Sequence, residues 1–152
     1  MKIPEHIIKW RRFEAVRARL DPMADFELWF WTMLSSGTAV LNAALHAAGV
    51  TRENELFATQ IPHVYAVRGE AGRCSQELAN FCDLIHVDIP RLECSLPIDL
   101  DRAFAAMRTI ESFRDPCIRS DTPVTSEVVS LCQSSYAELL DALRSRLQEY
   151  GI

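Results

Sequence analysis

The chain has 152 residues, 49% of them apolar and 24% charged, with a formal net charge of −5. That is enough chain to bury one core without a metal or disulfide staple, and too apolar a composition for a disordered segment. The acidic balance excludes a chain-wide electrostatic affinity for nucleic acid or anionic membrane.

The opening MKIPEHIIKWRRFE lacks the apolar core and cleavage site of a secretory leader. The five cysteines are odd in number and contain no CxxC pair, which predicts reduced thiols and a cytoplasmic location. Residues 1–20 are nonetheless basic, with six cations against Glu5 and Glu14, and read as a solvated helix face.

The first helix is predicted to begin at Pro4, with Ile7, Trp10, Phe13 and Leu20 on its apolar line. Asp21-Pro22 then caps a second helix, Met23 to Ala48, stopped by Gly49. This helix is long enough to span a bilayer, but a polar arc of Glu27, Ser35, Thr38, Asn42 and His46, with Trp31 among them, runs along it. Two faces of that kind belong to a bundle helix and exclude a membrane span.

Thr51 caps a short helical piece, 52–59, and the β-prone 61–68 stretch reads as a loop or short extended segment ending in a glycine-containing surface turn. A third helix is predicted from Ser75 to Ile89, with Leu78, Phe81, Cys82 and Ile85 inward. A fourth runs from Asp99 to Arg114, placing Leu100, Phe104, Met107 and Ile110 inward. A fifth follows a Thr122 or Thr125 cap, with Val128, Leu131, Cys132, Leu139, Leu143 and Leu147 in register. The expected architecture is all-α: one domain over 1–152, an up-and-down helical bundle of four main helices plus short extra helical or extended segments.

The candidate chemistry lies on the second helix. Glu27, Trp31, Ser35, Thr38, Asn42 and His46 follow each other at three- and four-residue spacing and so share one stripe. Such a stripe faces water, a second subunit or a ligand. A ligand pocket would combine Glu27, Trp31, Ser35, Asn42 and His46 with His63 and Tyr65 from the irregular segment.

His63, Cys74, Cys82 and His86 supply zinc-ligand types at a spacing that matches no standard finger. Cys82 and His86 also form an i, i+4 pair, but a thiol on an apolar helix face stays protonated and inert. No P-loop, dinucleotide fingerprint or HExxH motif is present, so no cofactor is predicted and no motif assigns an enzymatic reaction.

The resulting expectation is an interaction or regulatory bundle protein acting as a homodimer. The alternatives are a small-molecule-binding protein or enzyme using the stripe, and a metal-binding protein. Nucleic acid and membrane are not expected as partners.

Overall fold

A computed structural model of the chain describes residues 1–68, 73–79 and 83–152. Helix α1 (Ile3–Arg17) packs on α2 (Phe26–Ala47), and α3 (Ile98–Glu111) packs on α4 (Ser126–Leu147), with α2 touching both of the latter. Between α2 and α3 lie three short strands, β1 (Phe57–Ala58), β2 (Val64–Arg68) and β3 (Cys74–Leu78). They form an antiparallel sheet in the order β1-β2-β3, with Tyr65 opposite Ala58 on one side and Glu77 on the other.

The all-α expectation is therefore corrected: the chain is 57% helical but carries a three-stranded sheet, so its class is mixed and the up-and-down bundle is only part of it. The helix expected over 75–89 does not form. Residues 74–78 are strand β3, exposed along its whole length, and 83–90 is irregular apart from a bridge between His86 and Ile89. Leu78, expected inward, is 83% exposed. The helical period seen there is outweighed by antiparallel pairing with β2, which satisfies the backbone groups of the strand's inner edge and leaves the outer edge to solvent. The short helix expected over 52–59 is also absent, replaced by extended chain that ends in β1. The 69–72 turn and residues 80–82 lie outside the described residues.

The four long helices arise from legible local signals. The Glu5 carboxylate accepts from Lys2 N–H at 2.8 Å, closing the first turn of α1. Asp21 caps a turn ahead of α2, accepting from Met23 and Ala24 N–H at 2.8 Å each. Gly49, at φ +68°, ends α2 where an L side chain would be strained, and the following Val50 N–H returns to Leu45 O. Thr125 caps α4 through Val128 N–H.

The core is built on α2, which is buried nearly all round. Phe30, Met33, Leu34, Leu41 and Leu45 meet Leu100, Phe104, Met107 and Ile110 of α3 and Leu139 and Leu143 of α4. At the centre Gly37 carries no side chain because Met107 Sδ would stand 2.3 Å from its Cβ. No helix among the described residues is long and apolar enough to cross a membrane.

A polar knot fastens α1 to α4. Tyr136 Oη donates to Glu14 Oε1 at 2.8 Å, receives Trp10 Nε1–H at 3.2 Å and lies 2.7 Å from Ser36 Oγ. Arg17 binds both oxygens of Glu14 and lies over the Tyr136 ring. Burial pushes the Glu14 carboxyl up, but the hydrogen bonds from Arg17, Tyr136 and Ser36 outweigh it and hold the group below its usual value of 4.5. The stabilisation is thus fully present above that value. It fades as pH falls, because the unfolded chain takes the proton first. Urea unfolding between about pH 6 and about pH 3 should give a shallower loss of stability for Glu14→Gln than for the wild type. Equal slopes would mean that Glu14 does not titrate differently on folding.

Candidate metal centre

Three ionisable side chains distant in sequence meet inside the protein. His6 lies on α1 between Ile3 and Ile7, which share its face, and this face docks on α2. His46 ends the polar stripe of α2, one turn beyond Asn42. Asp83 comes from the irregular chain after β3. Their exposures are 2%, 7% and 2%, so all three are effectively without water.

The geometry is tight. His46 Nε2 lies 2.9 Å and His6 Nε2 3.7 Å from Asp83 Oδ1, and one ligand atom from each residue falls within 4.8 Å of the others. The imidazole centroids are 5.3 Å apart. The Met1 amino nitrogen stands 2.5 Å from the other carboxylate oxygen, Oδ2.

The neighbours hold this arrangement in place. His46 Nδ1 and Thr51 Oγ1 are 2.7 Å apart, which leaves Nε2 turned to Asp83. Asn42 makes a two-way clasp with the backbone of Leu84, its Nδ2 donating to Leu84 O at 2.9 Å and its Oδ1 accepting from Leu84 N–H at 2.7 Å. Tyr65 Oη accepts from Asp83 N–H at 3.1 Å. Asn42 and Tyr65 thus place the backbone of 83–84, and with it the Asp83 carboxylate.

The electrostatics follow from burial and proximity. Burial alone would raise the Asp83 pKa. The two imidazoles and the Met1 amine at its oxygens outweigh burial and hold it well below the usual carboxylate range. Burial lowers the His6 pKa more than Asp83 raises it, so this imidazole is neutral at neutral pH.

Hydrogen bonding in the cluster is incomplete. Both ring nitrogens of His6, His46 Nε2 and Asp83 Oδ1 lack an aligned hydrogen-bond partner, although His46 and Asp83 are in close contact. Unsatisfied buried polar atoms cost about 1–3 kcal/mol each, so a cluster in which each of three residues carries one calls for an account. A divalent ion supplies one. Zinc binds imidazole nitrogen and carboxylate oxygen at about 2.0–2.2 Å, which puts tetrahedral neighbours about 3.4 Å apart, close to the spacing here. The Thr51 partner on His46 is the outer hydrogen bond that a metal-bound imidazole ordinarily makes.

The residues singled out from sequence are dispersed. Glu27 is exposed and Trp31 half-buried, 6.2 Å from the Phe30 ring and 6.3 Å from that of His86. Ser35 lines a cleft, Asn42 clasps Leu84, His46 belongs to the cluster and Tyr65 supports Asp83. His63 is exposed in a turn at φ +62°. Of the suggested zinc set, Cys74 is exposed on β3, His86 is half-buried beside Trp31 and Cys82 lies outside the described residues; among the described residues His63, Cys74 and His86 form no cluster. His6 and Asp83 were not singled out. The one available signal was a histidine flanked by Ile3 and Ile7 on a buried helix face.

No protein-family model matches the chain, and no curated protein or solved structure is significantly similar to it.

Proposed function

We propose that this protein binds a single divalent transition-metal ion of the zinc class through His6, His46 and Asp83. The observation that carries the reading is the convergence of three buried, incompletely hydrogen-bonded ligand atoms, one each from His6, His46 and Asp83, from three separate chain segments. The donor set of two imidazoles and one carboxylate suits zinc and its neighbours rather than calcium or magnesium, which take oxygen ligands. The ion would tie α1, the end of α2 and the 83–84 segment together, and the lowered pKa values of His6 and Asp83 favour the deprotonated forms that metal binding requires.

Native mass spectrometry and elemental analysis of protein purified without an affinity metal, then offered zinc and dialysed, test the reading. About one ion per chain is expected for the wild type, and much less for His6→Ala and for His46→Ala. A wild type that retains no metal, or variants that retain it fully, would overturn the proposal.

A second reading, self-association as a homodimer, is supported by Met23 (49% exposed) and Leu28 (55%), large apolar side chains held at the start of α2. The same spectra count subunits. A monomer at micromolar concentration removes this reading without touching the first.

A further inference from the structure

A cleft of 270 Å³ opens between α1, α2 and the 58–60 segment, with Leu84 and Ile85 as its back wall. Its floor is the middle of the α2 polar stripe, Thr38 and Asn42, both buried, with half-buried Ser35 beside them. Exposed Lys9 and Gln60 stand at the rim.

Most of the polar lining is already committed. Thr38 Oγ1 donates to Leu34 O, Asn42 is clasped to Leu84 and Thr59 Oγ1 donates to Val64 O. Among the described residues, the side chains of Lys9, Ser35 and Gln60 make no hydrogen bond or ion pair. Among the described residues, Lys9 is the only charged one lining the cleft. The acid whose charge reaches it, Asp83, is engaged with two imidazoles and the Met1 amine. The cleft therefore holds one uncompensated cation and two neutral side chains with donors to spare.

We propose that this cleft is a binding site for a small oxyanion-bearing molecule, its carboxylate or phosphate on Lys9 and its remaining polar atoms on Ser35 and Gln60. Among the described lining residues a cationic ligand has no acid to meet. The volume is at the small end of ligand pockets, which suits a short-chain acid or a monophosphate. Lys9, Ser35 and Gln60 are not ligands of the metal centre proposed above, so the site stands or falls independently of it.

The test is titration of ¹⁵N-labelled protein with inorganic phosphate and, separately, with succinate, against sodium chloride at matched ionic strength. Saturable shifts confined to the neighbourhood of Lys9, Ser35 and Gln60 are expected with at least one of the two. The probe that saturates at lower concentration tells phosphate from carboxylate recognition. Lys9→Met should weaken binding at least about tenfold while helicity is unchanged, and Lys9→Arg should keep most of it. Shifts that sodium chloride reproduces, no saturation with either anion, or undiminished binding by Lys9→Met would each overturn the proposal.

Discussion

Asp83→Ala is expected to cost about 3–5 kcal/mol of folding stability, the usual penalty for removing one partner of a buried charged group. The carboxylate touches His46, His6 and the Met1 amine at once, and its side chain is 1% exposed. Alanine leaves an ammonium and two imidazoles facing one another in an unhydrated space, with the Asn42 clasp still holding the backbone in position. Metal retention should vanish in the same variant. Asp83→Asn separates the two roles: it keeps the shape and one acceptor, so it should recover part of the stability, while a neutral amide remains a poor zinc ligand. Chemical denaturation of metal-free protein measures the first effect and elemental analysis the second. A stability loss below about 1 kcal/mol for alanine would place Asp83 among ordinary surface ion pairs and contradict the burial on which the site rests.

Gly37→Leu should produce the next largest loss, at the upper end of the ~1–3 kcal/mol typical of overpacked cores. A Cβ alone would approach Met107 Sδ to 2.3 Å, Met107 Cε to 2.7 Å and Leu139 Cδ2 to 3.2 Å. Methionine is flexible and yields to a single methyl group. Gly37→Ala should accordingly cost far less, because the gain in helix propensity of about 1 kcal/mol offsets the crowding. Leucine adds three further carbons at the junction of α2, α3 and α4, where both flanking side chains are fully buried. Combining Gly37→Leu with Met107→Ala should restore part of the loss, a coupling readable from urea midpoints. Additive losses would show that the two positions do not share the space.

How much of this was legible depended on how local the determining physics was. The four long helices were visible because their caps and apolar periods are local: Gly49 and Thr125 act where expected, while Asp21 caps only a turn and α2 opens after Asp25. The sheet was not, because β3 contains Ser75, Gln76 and Glu77, has no alternating buried face and is held by pairing with β2. On a helix over 75–89 Asp83 is one more polar residue, and only the irregular path of 83–84 turns it inward. The stripe on α2 was legible as a stripe. Which of its members would be clasped, liganded or left at a rim depended on the 58–60 and 83–85 segments, whose paths no local rule supplies. His46 could be named and its partners could not.

Two kinds of attachment meet on α2. The cluster draws on residues 6, 46 and 83, all from the first part of the chain, while α3 and α4 meet through Leu100, Phe104, Met107, Leu139 and Leu143, with the Arg146–Asp99 pair near their ends. Acid attacks a clasp of carboxylate and imidazole. Urea attacks chiefly a buried apolar seam. Acid thus acts first where the 83–84 segment is clasped to α1 and α2, and urea first along the apolar seam that α2 shares with α3 and α4. Because α2 belongs to both, loosening either one is felt at the other through that helix.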